Sequence, residues 1–354
     1  MEKYTIFVKK NIKSYLNMNY IGSKIKLCKD FIPNTVKNVC GEDLSSYVFC
    51  DLFAGSGVVA QTFKPHVKSI ISNDIEYYSY VINKAYLESD EVIEGIDELL
   101  NELNNLPLGE SGFISDNYCF NPLPKRNERL YFSNFNGRKI DIIRKEIEEM
   151  KNLGRINKKQ YYYLIASLIE ASDKVANVAS VYSAYLKSLK KNAQKKLILK
   201  PLDIVITNNP NHKVYNKDAI ELIKEIEGDI LYLDPPYNSR QYGSNYHLLN
   251  TIAEYKPFTP KGITGLREYT KSKFCYKSIV EKEFDEVINS AKFKYIFLSY
   301  NNEGLMSCDN IKKVMSKYGE YNVYTTEYKR FKADNNRVYK SDVTIEYLHV
   351  LIKK

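Results

Sequence analysis

Apolar positions along the chain change rhythm twice. Residues 46–53 (SYVFCDLF) and 67–74 (VKSIISND) are short apolar runs bounded by turn residues. Runs of that kind predict buried strands, and the interval between them fits one helix, so the pair reads as a βαβ unit. Residues from about 92 to 106 carry an acidic helical pattern. The middle of the chain is different. Residues 121–136 (NPLPKRNERLYFSNFN) are basic and rich in turn formers, and 141–152, 159–171 and 179–196 predict helices, the last ending in a basic cluster. Strand patterns return at 229–234 (DILYLD), 295–300 (YIFLSY), 323–327 and 343–352, the last two suited to an antiparallel hairpin at one sheet edge. The expected class is α/β, with 1–110 and 200–354 forming one domain around a mostly helical insertion at 111–199.

Composition narrows the picture. Of the 354 residues 44% are hydrophobic, enough to bury a full core. The formal net charge is +9, which suits a polyanionic partner, because Lys and Arg gain by neutralising phosphates and releasing counterions. There are 31 Tyr and 15 Phe but no Trp. Tyrosine beside lysine suits base stacking, although an AT-rich codon bias is the better account of most of these tyrosines. Cys28, Cys40, Cys50, Cys119, Cys275 and Cys308 include no CxxC pair, so no metal site is expected. No signal peptide is visible and apolar runs are short and charge-broken. A reduced cytoplasm and no membrane span are therefore expected.

The first motif is DLFAGSG, from Asp51 through Phe53, Gly55 and Gly57, placed between a predicted strand and a predicted helix. Glycines there permit a tight turn and a close approach of backbone to ligand. Asp74 ends the next strand, at a spacing suited to an acid that binds ribose hydroxyls. Gly55, Gly57 and Ala60 also satisfy the loose dinucleotide pattern G-x-G-x-x-A, so a nicotinamide oxidoreductase is a rival on this motif alone.

The second motif, Asp234-Pro235-Pro236-Tyr237, follows the predicted strand ILYLD. An adenine amino group is a poor nucleophile because its lone pair is delocalised into the ring. A carboxylate and a backbone carbonyl that accept its two hydrogens favour a tetrahedral nitrogen, whose lone pair then points at a methyl sulfonium. That is catalysis by positioning and electrostatics. Proline stiffens the local backbone, and Tyr237 offers a ring on which an extruded base can stack. Ring-carbon methylation of cytosine needs a cysteine after proline, and none of the six cysteines has one.

Residues 20–24 (YIGSK), DLFAGSG and DPPY, in that order, resemble the adenine-specific DNA methyltransferases of restriction–modification systems, Dam-like in motif order. The string DPPYNSRQYGSNYHLL resembles the branch that includes the FokI and NlaIII methyltransferases. The resemblance implies a seven-stranded Rossmann-like sheet, double-stranded DNA as substrate and S-adenosylmethionine as methyl donor. It leaves room for a cognate restriction endonuclease, though not as a bound subunit. It places Tyr20 and Lys24 over the donor's methionine end and Asp51, Phe53, Gly55 and Gly57 in the donor loop. Asp74 becomes the ribose acid, Asp218 the acceptor for the donor's adenine amino group, and Asp234, Pro235, Pro236 and Tyr237 the catalytic motif. Asp218 reads equally as a helix N-cap. Amino-cytosine methylation, often with Ser in place of Asp234, stays open as an alternative. DNA contacts are expected from residues 125–129, from the insertion, and from the loop 239–273 with Arg240, Gln241, Arg267 and Lys273. Residues 299–304 (SYNNEG) read either as part of a base pocket or as a turn.

Overall fold

The computed structural model describes residues 22–89, 91–120, 129–207, 209, 211–329 and 343–354. Its centre is a seven-stranded sheet: β1 (Val48–Asp51), β2 (Ser69–Asn73), β3 (Lys213–Tyr215), β4 (Glu227–Leu233), β5 (Lys292–Asn301), β6 (Gly319–Lys329) and β7 (Val343–Lys353). The order is β3-β2-β1-β4-β5-β7-β6. All pairings are parallel except those of β7, which runs antiparallel to both β5 and β6. The expected hairpin is therefore present, with β6 at the edge and β7 inserted beside β5. β3 was not expected. Three residues are too few to show alternation, and the strand exists because β2 offers it an edge.

The sheet is covered on both faces, as parallel strands require. One face packs on α1 (Phe31–Cys40) and α2 (Val58–Phe63) through Phe49, Ile230, Tyr232, Phe297, Leu348 and Val350. The other packs on the helices Val280–Ser290 and Cys308–Met315 through Leu231, Leu233, Ile296 and Leu298. The chain leaves β1 toward β2 on one side and β4 toward β5 on the other. The crevice above the carboxyl ends of β1 and β4 is thus a topological switch point, where such sheets bind ligands.

The long helices Asn134–Asn152 and Lys158–Val175 extend the expected ones by a turn or more. They share one core with Tyr78, Val81 and Ile82 of the helix after β2 and with Leu248, Leu249 and Ile252 of His247–Glu254. The helix expected at 179–196 does not form. Its backbone is held by tertiary partners instead: the Asn177 amide donates to Leu130 and Leu186 carbonyls and accepts from Lys190 N–H, while Tyr182 N–H donates to the Asn245 carbonyl. A buried asparagine that satisfies several backbone groups outcompetes the i to i−4 ladder. Among the described residues no helix is long and apolar enough to cross a membrane.

Candidate active site

Strand register delivers the two motifs to one place. Asp51 pairs with Tyr232 across β1 and β4, so Asp234 lies two residues beyond, at the same edge and on the same face. Above them opens a cleft, about 890 Å³ of empty space including its solvent-filled mouth. Lys24, Asp51, Phe53, Gly55, Asp74, Asp218, Asp234 and Pro236 line it. Gly57 is not on its wall, Pro235 is buried beneath it, and Tyr20 lies outside the described residues.

The loop after β1 has few donors to spare. Ala54 N–H donates to Asn73, Gly55 N–H to the Asp74 carboxylate at 2.7 Å, and Gly57 N–H back to Ala54. Asp74 also accepts from Glu76 N–H at 2.8 Å, so the residue read as the ribose acid is tied to the loop as well. Gly57 has φ +74°, and a Cβ there would lie 2.2 Å from Asn83 Oδ1. Asn83 Nδ2 and Ser79 Oγ both donate to the Gly55 carbonyl. Asp218 accepts from Ile220 N–H at 2.9 Å as a helix N-cap and also lines the cleft.

Acidity dominates the walls. Asp51, Asp74, Glu76, Asp218 and Asp234 face Lys24 and Lys217. Burial, then the charge of Asp234, holds the Asp51 carboxyl well above its usual range. Burial likewise raises Asp74, and burial with Asp74 nearby pushes Glu76 up to about 7. Carboxylates crowded out of water resist ionisation, and a cationic ligand relieves that cost.

The DPPY segment sits against Lys24. Its ammonium lies 2.9 Å from Asp234 Oδ2 and donates to the Gly22 carbonyl at 3.0 Å and Tyr237 Oη at 3.3 Å. Burial would lower Lys24, but Asp234, Tyr237 and Glu346 outweigh it and hold the ammonium well above the usual lysine range. Burial raises Asp234, and Lys24 pulls it back. Asp234 Oδ1 is buried and has no partner. When ionised it can only accept a hydrogen bond. Lys24, assigned by resemblance to the donor, thus also contacts the DPPY segment. Tyr237 packs edge-on against Tyr300 at 5.3 Å, and burial pushes its hydroxyl up to about 12. Leu305 N–H donates to the Tyr237 carbonyl. Tyr300 therefore buttresses Tyr237, and residues 299–304 are not on the cleft wall.

Several residues expected to touch DNA have partners within the protein. The Gln241 amide pairs with the Ser272 backbone at 2.7 and 3.1 Å, which brings Ser272 and Phe274 onto the cleft wall; Phe274 meets Phe53 edge-on at 5.0 Å. Arg267 is largely buried, bonded to Glu254 at 2.7 Å and set over Phe258. Lys273 stands 3.7 Å from Glu283. Arg240 is exposed. Of residues 125–129 only Arg129 is described, and it holds the carbonyls of Asn117, Gly262 and Ile263. Glu76, Lys217 and Phe274 were missed because no spacing rule points to them. Among the described residues no group of three or more His, Cys, Asp or Glu is arranged to hold a metal.

Comparison with known proteins agrees with this geometry. The family of D12 class N6 adenine-specific DNA methyltransferases matches residues 20–314. The type II methyltransferase M.NlaIII of Neisseria lactamica is 54% identical over 338 residues, 95% of this chain and 99% of that protein. The type II methyltransferase M.CviAII of Paramecium bursaria Chlorella virus 1 is 39% identical over 326 residues, 91% of this chain and 94% of that protein. M.FokI of Planomicrobium okeanokoites is 39% identical over 335 residues; that match covers 90% of this chain and half of the relative's length.

Proposed function

The chain belongs to the D12 class of N6 adenine-specific DNA methyltransferases, and from that premise we propose how its own residues carry the reaction. The donor is S-adenosylmethionine, bound in the cleft above β1 and β4. The observation that carries this is the charge of the walls: five carboxylates against two ammonium groups. A sulfonium donor relieves that crowding, whereas a dinucleotide's pyrophosphate adds to it. Asp74 and Glu76 are placed for the ribose side, Phe53 and Phe274 for apolar contact, and Asp51 for the methionine end.

The target adenine enters extruded from the duplex. Asp234 Oδ1 accepts one amino hydrogen and a backbone carbonyl of the DPPY segment the other, which turns the nitrogen lone pair toward the sulfonium methyl. Tyr237, held by Tyr300 and Lys24, supplies the stacking surface. The substrate is double-stranded DNA carrying a short target sequence, as expected in a restriction–modification setting. The insertion at 111–199 is the proposed target-recognition region, with a cognate endonuclease acting separately.

Calorimetry is expected to show binding of S-adenosylmethionine and none of NAD; the reverse would overturn the donor assignment. Sequencing that detects N6-methyladenine, on DNA from cells expressing the protein, is expected to show one methylated context. The Asp234→Ala protein, folded and still binding donor, is expected to leave that context unmethylated. Full methylation by that variant would remove Asp234 from the chemistry.

A further inference from the structure

One buried acid beside the site has no task in this scheme. Glu346 lies on β7, opposite Asn301 of β5 and Thr326 of β6, at the end of the sheet where the cleft opens. It is 7% exposed, and its Oε2 has no hydrogen-bond partner. Alternation along the strands fixes its face. Leu348 and Val350 pack with Phe49, Tyr232 and Phe297 on the α1–α2 side, so Glu346 points to that side too. Asp234, two residues past Tyr232, shares the face. Lys24 approaches from the segment that covers it and interacts electrostatically with both acids. The groups facing Glu346 are Lys24, Asp234 and Tyr237 from across the site, with the Asn301 amide from β5. An orphaned buried carboxylate oxygen is costly and needs a reason.

The chemistry of transfer gives one. The adenine nitrogen attacks the methyl carbon, the S–C bond breaks and its electron pair returns to sulfur, leaving a neutral thioether. The nitrogen, now bonded to the new methyl and still holding both hydrogens, is cationic and must lose a proton. Asp234 Oδ1, the acceptor already at that hydrogen, receives it. Asp234 then becomes neutral, and Lys24 is left as a buried ammonium whose paired charge has gone.

We propose that Glu346 is a positioning residue that takes over the Lys24 ammonium as Asp234 accepts the proton, so that the buried cation is never uncompensated. This rests on the assignment of Asp234 as the acceptor. Two carboxylates share one ammonium: Asp234 holds it before transfer and Glu346 after. Product release returns the proton to solvent and the ammonium to Asp234.

The test is single-turnover methyl transfer to duplex DNA containing the target site, with S-adenosylmethionine as donor. Wild type is measured first; no transfer to adenine there would overturn the underlying assignment and this proposal with it. With wild type active, Glu346→Gln is expected to slow the chemical step by about tenfold or more while donor and DNA dissociation constants stay within about twofold. Loss of a neighbouring anion makes Asp234 a weaker base, so the acid limb of the rate profile moves to lower pH. In a Lys24→Met background, Glu346→Gln is expected to change the slower rate by less than about twofold, because Glu346 acts through Lys24. An unchanged rate and pH limb, or an equal loss in both backgrounds, would overturn the proposal. Where Glu346→Gln does not fold, Glu346→Met, which also removes the anion, is compared in the same two backgrounds, with the same outcomes deciding.

Discussion

Asp234 has one oxygen held by Lys24 at 2.9 Å and one left bare in a buried position. That asymmetry orients the carboxylate and offsets part of the burial that raises it, while reserving an acceptor for the substrate. Tyr237 has a comparable division. Its hydroxyl is engaged by Lys24 and its ring edge by Tyr300, which fixes the plane on which a base would stack. Removing the ring is expected to weaken capture of the extruded adenine by about 1–3 kcal/mol, the usual worth of base–aromatic stacking. Phe at this position keeps the ring and loses only the Lys24 contact, so Tyr237→Phe is expected to retain more activity than Tyr237→Ala. Fluorescence of 2-aminopurine placed at the target adenine reports the extrusion. Equal behaviour of the two variants would exclude stacking.

At the scale of an element, the turn between β1 and α2 is where sequence and ligand geometry meet. Gly57 caps α2 in the left-handed region, and the room for a side chain is taken by Asn83, which also holds the Gly55 carbonyl. Gly57→Ala is expected to cost more than the roughly 1–2 kcal/mol of left-handed strain alone, because Asn83 must also move. Gly154 provides the control: its φ is +70° and nothing lies within 4 Å of an added Cβ. Gly154→Ala carries the strain without the clash. Thermal melts of both variants, with and without donor, are expected to show a larger loss for Gly57→Ala and a reduced donor-induced shift in that variant only. A full donor shift in Gly57→Ala would detach this turn from donor binding.

Over the whole molecule, charge is segregated. The chain carries +9 in total, yet its cleft is acidic. The excess cation therefore lies elsewhere, available to a phosphate backbone. DNA affinity is expected to fall linearly in log–log form as salt rises, with a slope set by the number of phosphates neutralised. Donor affinity, set inside a confined acidic cleft, is expected to change far less over the same range. Fluorescence anisotropy with labelled duplex, alongside donor titrations, separates the two. A DNA affinity independent of salt would mean that the net charge plays no part in binding.

Several features followed from the sequence alone. Short apolar runs bounded by turn residues read as strands, so all six predicted strands and the βαβ unit were legible. Residues close together in the chain, in DLFAGSG and DPPY, are fixed by local backbone chemistry, and their types announced the reaction. The tertiary structure decided whatever depends on residues far apart. It made β3 a strand through the edge of β2, and it denied a helix to 179–196 through Asn177. It bound Gln241 to Ser272 and Arg267 to Glu254, residues whose side chains read in sequence as free donors. It also set Lys24 and Glu346 around Asp234, a meeting no spacing could disclose, because it depends on sheet order and register and not on distance along the chain.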